Sequence, residues 1–292
     1  MKPSAIAVRS ALLVLLLFAS SSAVSWTRSL TFENGSVGAK TQSSSSEDFD
    51  DAAGGTYFTD EQILSGNLAA KLTVTAGDTA FGRWGGIINF PEVLKKGDEI
   101  WFRVNTFFPD GFNWDSTSSG NLLKFLRVHV QTSSGANSGY NDWYLTPEAT
   151  TIPHQFIYEG QQQWFRFGAA SDEIQRGRWE TYEMYIKLDN IPVDQGGTAR
   201  VRVWKDGRLL SEITGAETLN SATDTSDRAH LFTYWNGGAP KTQHMYVDDI
   251  VVTSDTPANR DANGNPMVGT STSSGSGSDS TSRPAPPVLN VD

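Results

Sequence analysis

Apolar positions along this chain recur mostly with a period of two. Short runs alternate apolar and polar residues and are separated by Gly, Pro, Asn, Asp and Ser, the pattern of half-buried strands joined by turns. Helical periodicity is nearly absent. The alternation predicts strands over 69–75, 84–90, 99–108, 122–131, 143–145, 155–158, 164–167, 179–187, 199–204, 208–212, 230–235 and 245–253. Lys205-Asp-Gly-Arg208 joins two of them, and Asp-Gly is a strong tight-hairpin signal. Many short strands at this spacing predict an all-β fold, a two-sheet antiparallel sandwich or jelly roll. The one segment with helical character, Asp60 to Leu64, is short enough to be a single turn.

The two ends of the chain do not follow this pattern. Residues 1–25 read as a signal peptide: Lys2 and Arg9 are basic, an apolar run covers 11–19, and small residues at Ala23 and Ser25 suit cleavage before Trp26. The apolar run is shorter than the roughly 20 residues a membrane span needs, so the reading is a secreted protein, extracellular or periplasmic, with no membrane contact after cleavage. Residues 259–292 read as a Ser/Gly/Pro-rich tail or linker. The segment 26–258 between them is the size of one large β domain.

Composition narrows the chemistry. There is no cysteine, which excludes a thiol nucleophile, a cysteine metal site and disulfides in spite of the export signal. A net charge of -10 argues against nucleic acid as a partner. It leaves room for an acidic polysaccharide, because local charge in a groove can oppose the global sign. The 9 Trp, 8 Tyr and 15 Phe suit both a sandwich core and stacking on sugars.

The strand over 122–131 is the most informative. Strict alternation puts Lys124, Leu126, Val128 and Val130 on one face and Phe125, Arg127, His129 and Gln131 on the other. Arg127 has the fork that grips a carboxylate, Gln131 adds a neutral amide, and His129 is able to take a proton near neutral pH. Other strands offer Arg103 with Asn105, and Tyr234 with Asn236. Tyr144, His244 and Trp84 complete a candidate substrate-binding set, and Tyr234 or Tyr144 is the candidate phenolic acid or base. His154 and His230 read as structural. These are the parts of a β-elimination from a uronate: one set neutralises the carboxylate, a base takes the C5 proton, and an acid protonates the leaving oxygen. Glycoside hydrolysis needs two carboxylates flanking a bond, and the strand interiors are poor in such pairs, with Glu183 the main in-strand acid. No Gly-x-Ser-x-Gly elbow occurs.

Pairing of the first and last strands would bring Glu33, from Phe32-Glu-Asn-Gly35, near Asp248 or Asp249. Those carboxylates and backbone carbonyls around Gly35 are the oxygens a structural calcium ion takes, and solvated turn residues are the alternative. Asp261-Ala-Asn-Gly-Asn265 reads as an Asn-Gly turn, with a calcium loop as the other reading. Nothing calls for an organic cofactor.

Spaced motifs carry a family resemblance. They are Phe32-Glu-Asn-Gly35, Phe81-Gly-Arg-Trp-Gly-Gly86, Phe90-Pro, Gly97-Asp-Glu-Ile-Trp-Phe-Arg103, Phe108-Pro-Asp-Gly-Phe112, Leu123-Lys-Phe-Leu-Arg127, Tyr234-Trp-Asn-Gly-Gly238 and Tyr246-Val-Asp-Asp-Ile250. Across most of 30–255 the chain resembles the secreted jelly-roll polysaccharide lyases related to glucuronan lyase and, more distantly, heparin lyase. The resemblance implies a concanavalin-like β-jelly roll, often with structural calcium, whose concave groove binds an anionic polysaccharide, here a uronate-containing one; the chain is expected to be a monomer. It places a His, a Gln or Asn and a Tyr beside a basic residue. Here those roles fall on His129, Gln131 or Asn105, Tyr234, and Arg127 or Arg103. A lectin-like binding domain and a glycoside hydrolase use the same scaffold and stay open.

Overall fold

The computed structural model describes residues 25–41, 49, 55–79, 84–115, 122–146, 151–232 and 234–270. The signal-peptide reading, apart from Ser25, and the tail beyond Thr270 lie outside the described residues.

The described chain forms fourteen strands in two antiparallel sheets. They are β1 (Thr27–Leu30), β2 (Thr56–Thr59), β3 (Ala69–Val74), β4 (Gly85–Lys95), β5 (Glu99–Phe107), β6 (Leu123–Gln131), β7 (Asn137–Leu145), β8 (His154–Tyr158), β9 (Gln163–Phe167), β10 (Trp179–Lys187), β11 (Arg200–Lys205), β12 (Arg208–Ile213), β13 (Thr225–Phe232) and β14 (Gln243–Thr253). The eight-stranded sheet runs β12-β11-β10-β5-β14-β3-β2, with β1 also paired to β14. The six-stranded sheet runs β4-β13-β6-β7-β8-β9. The two sheets form the predicted sandwich. β1, β2 and the first halves of β7 and β13 escaped the sequence pattern, because they are short or rich in polar residues that interrupt the alternation. Asp60–Leu64 forms bends rather than a helical turn.

Alternation explains the core. From one sheet come Ile100, Phe102 and Val104, Met184 and Ile186, Val201 and Val203, and Met245 and Val247. From the other come Val128, Val130, Trp143, Phe156, Phe167 and Leu231. Removing this much apolar surface from water is the main drive for the fold, at roughly 25 cal/mol per Å². The Lys205-Asp-Gly-Arg208 hairpin forms as predicted, with Asp206 at φ 48° and Gly207 at φ 75°, as a type I′ turn requires. Trp84-Gly-Gly86 starts β4, and the close neighbour of Gly86 is the Phe49 ring, which lies 2.3 Å from where a Cβ would stand.

The ordered chain continues past residue 258. Residues 259–270 cross the outer face of the eight-stranded sheet. Met267, 1% exposed, packs among Trp101, Tyr185 and Trp204. The Val268 and Gly269 N–H groups donate to Glu183. Asp261 closes an Asx turn by accepting from the Asn263 and Asn265 N–H groups, and also accepts from Trp204 Nε1 at 2.9 Å. That is the Asn-Gly turn reading, with the carboxylate satisfied by protein donors.

Candidate active site

The site is built on the outer face of the six-stranded sheet, around the start of β6. Register with β7 shifts between Lys124 and Leu126. This β-bulge turns both Phe125 and Leu126 into the core and returns Lys124 to the face that carries Arg127 and His129. Strict alternation therefore misassigns Phe125 and Lys124. On the neighbouring strand, Tyr140, Asp142 and Tyr144 alternate onto the same face. Tyr234 reaches it because Trp235 bridges to Leu123, which holds the chain beside β6 while Trp235 itself is buried.

Lys124 Nζ lies 5.2 Å from the ring centroid of Tyr234 and 5.8 Å from that of Tyr144. It donates to Glu159 at 2.6 Å and stands 3.7 Å from Asp142. Arg127 is 2% exposed and is taken up by Asp142, with Nε at 2.6 Å and an Nη at 3.3 Å, and by Glu159 at 3.4 Å. The Tyr140 ring covers its guanidinium at 3.9 Å. Burial raises the Asp142 carboxyl to about 6 against the pull of Arg127. Burial and the nearby Asp142 charge raise the Tyr144 phenol, so it keeps its proton at neutral pH.

His129 is gripped from both sides. Its Nδ1 lies 2.6 Å from Asp227, and its Nε2 lies 3.1 Å from Asn137 Oδ1. That Asn137 oxygen also accepts the Gly139 N–H, which fixes it as the acceptor end of the amide. Both imidazole nitrogens are thus occupied by protein partners, and neither faces outward. Burial opposes ionisation of Asp227, yet the bonds from His129 and Arg228 hold its carboxyl down to about 2. Gln131 ends β6, half-buried beside the 132–135 turn. His230, opposite Arg127 in the register, is buried 5.3 Å from the Tyr140 ring, and burial with the Arg127 charge keeps it neutral. His154 is structural as expected: it accepts from Trp143 Nε1 at 3.3 Å, and burial lowers its pKa to about 4.

Several predicted site residues lie elsewhere. Arg103 and Asn105 are on β5, on the outer face of the other sheet. Asn105 donates to the Asp248 and Asp249 carbonyls and accepts from Thr181, so it serves the β14 bulge. His244 lies within β14, on that same sheet, edge-on to Tyr246 at 5.5 Å. Trp84 is 1% exposed and packs at 4.4 Å on Phe232 in the core. Asn236 sits in the turn after Trp235. Tyr144 and Tyr234 do share the face with Arg127 and His129. Alternation reports which side of its own sheet a residue faces, but not which sheet it belongs to.

Glu33 and Asp248 hold one loop. Glu33 accepts from the Asn67 and Leu68 N–H groups, and Asp248 from those of Leu64 and Ser65. The Asp249 N–H donates to the other Asp248 oxygen. Gly35 packs against the Phe58 ring. The Glu33 and Asp248 oxygens thus face N–H donors, and among the described residues no three acidic, His or Cys side chains cluster to hold a metal.

Lys124, Tyr140, Asp142, Glu159 and Asp227 were missed in the sequence. The signal was there for two strands: consecutive Phe125-Leu126 breaks the alternation, and Tyr140, Asp142 and Tyr144 alternate. The Asp142–Glu159 pair supplies the carboxylates that the strand interiors seemed to lack. Asp142, however, is fully buried beneath Arg127 and cannot flank a sugar bond. The face is balanced rather than basic, since Lys124, Arg127 and Arg228 each sit on a carboxylate. Shallow cavities of about 220, 390 and 350 Å³ lie along the eight-stranded sheet. Their Lys187, Arg200, Arg202 and Arg208 are all ion-paired, and a long polymer needs an open face rather than an enclosed cavity.

No protein-family model matches the chain, and no curated protein matches it in sequence. Solved structures do resemble it. An alginate lyase, as a lysine and tyrosine double mutant in complex with alginate tetrasaccharide, is 17% identical with a TM-score of 0.52, covering 77% of this chain and 96% of its own. The unmutated alginate lyase is 16% identical, with a TM-score of 0.50 and the same coverage. An endo-β-1,4-glucuronan lyase from the fungus Trichoderma reesei is 13% identical with a TM-score of 0.49, covering 68% of this chain and 85% of its own. The chain therefore has the β-jelly-roll fold of the alginate lyase.

Proposed function

We propose that this protein is a polysaccharide lyase that cleaves a uronate-containing polymer by β-elimination on the outer face of the six-stranded sheet. The observation that carries the reading is Lys124 between the Tyr144 and Tyr234 rings with the Glu159 carboxylate 2.6 Å from its ammonium. The face already seats a carboxylate beside two phenols. A uronate carboxylate entering in place of the half-exposed Glu159 would have its charge neutralised by Lys124, which makes the C5 proton removable. Tyr144, held protonated, donates to the leaving glycosidic oxygen. Tyr234, the more open phenol, takes the C5 proton as its phenolate, and the C4=C5 double bond forms as the C4–O bond breaks. Arg127, Asp142, His129 and Asp227 position this trio. The jelly-roll likeness to an alginate lyase supports the same class. Export through the N-terminal leader would bring the protein to such polymers.

The test is ultraviolet absorbance of unsaturated uronate ends. Alginate or polyglucuronate should give the signal and a neutral β-glucan should not. Absence of the signal from every uronate polymer would remove the lyase reading.

A further inference from the structure

The edge strand β9 carries two groups that the acid–base trio does not use. Trp164 and Arg166 are two residues apart and face the same side as Tyr144, whose ring lies 5.2 Å from the Trp164 ring. Their neighbours Phe165 and Phe167 turn inward to the core. Trp164 is 41% exposed, although a large aromatic open to water on an edge strand is an aggregation hazard. The strand registers align Lys124, Tyr144, Gln155 and Arg166 in one row across four strands, with Arg127, Asp142, Ile157 and Trp164 in the next. Three strand steps put Arg166 roughly 14 Å from the Lys124 position. A different sugar of the same polymer must occupy that place.

Charge sets Arg166 apart from the middle of the face. Lys124, Arg127 and Arg228 each carry a carboxylate partner, whereas exposed Arg166 has none among the described residues. A guanidinium fork donates two parallel bonds to a carboxylate, and an indole face covers the C–H side of a pyranose ring. We propose that Trp164 and Arg166 form a binding subsite for an acidic pyranose unit of the polymer other than the unit that reacts. The subsite rests on the reading of this face as polysaccharide-binding. Trp164 supplies the platform, locked in place by Tyr144, and Arg166 selects uronate over neutral sugar.

The test uses the full chain with R166Q, W164A and the control K40Q, which removes one charge from the other sheet. Binding of alginate and polyglucuronate oligosaccharides is measured by calorimetry, and turnover on the polymers by absorbance. R166Q should weaken oligouronate binding and raise KM about 10-fold with kcat within twofold, W164A should weaken binding by a similar factor, and K40Q should change neither binding nor KM. Unchanged Kd and KM in R166Q, in a wild type that cleaves uronate polymer, would overturn the subsite and leave the lyase reading standing. A wild type that neither binds nor cleaves uronates would overturn both.

Discussion

Lys124 and Arg127 share the same two carboxylates, Asp142 and Glu159, although they stand three positions apart on one strand. An unbroken strand would send them to opposite faces. The bulge at Phe125 and Leu126 brings them together, and the two cations then play different parts. Lys124 is 15% exposed and open to an incoming carboxylate, while Arg127 at 2% is sealed beneath Tyr140.

Removing Lys124 should therefore stop the reaction without unfolding the protein. K124A should lower turnover on a uronate polymer by roughly 10²–10⁴-fold. Its melting temperature should stay near that of the wild type, because a partly exposed ion pair contributes little. Steady-state rates and thermal melts on the same preparation check both halves.

Arg127 should show the reverse weighting. R127A leaves Asp142 buried without its cation and should cost about 3–5 kcal/mol of stability. The double variant R127M/D142L removes both charges and should recover much of that loss. Denaturant unfolding of the three proteins measures it, and a double variant as unstable as R127A would contradict the ion-pair account.

The two-sheet sandwich and much of the core were legible, because period-two alternation survives in β5, β6, β10, β11 and β14. The site was legible only in part. Arg127, His129, Tyr144 and Tyr234, singled out by residue type and strand position, do share one face. The assignment of Lys124 failed because a bulge inserts one residue without any composition signal. Arg103 and Asn105 were drawn to the wrong sheet because alternation carries no information on which sheet a strand joins. The role of Arg127 changed because its partner Asp142 is on the next strand, and pairing register cannot be read from one strand alone.

The segment after residue 258 should behave as part of the fold. Met267 fills the pocket among Trp101, Tyr185 and Trp204, so M267A should cost about 2–5 kcal/mol. A substitution in a loose tail would cost nothing measurable by calorimetry.

Glu183 beneath that segment gives stability a pH dependence. Burial raises its carboxyl from 4.5 to about 7, against the Val268 and Gly269 N–H bonds and the Arg103 charge that favour the ionised form. Between those pH values the folded state keeps a proton that the unfolded state releases. This group's contribution is thus greatest below pH 4.5 and falls as the pH rises to about 7, by an amount on the order of a few kcal/mol. Wild type should lose more melting temperature than E183Q over that window, and parallel curves would contradict it.

The central claim is elimination on the Lys124 face, and the masses of products from a defined uronate hexasaccharide test it most directly. Elimination predicts paired fragments whose masses sum to that of the substrate, with the non-reducing end of one unsaturated, and predicts that Y144F and Y234F make little of either. Fragments that sum to the substrate plus one water would mean hydrolysis, and tight binding with intact substrate would mean a lectin. Either result would contradict the account.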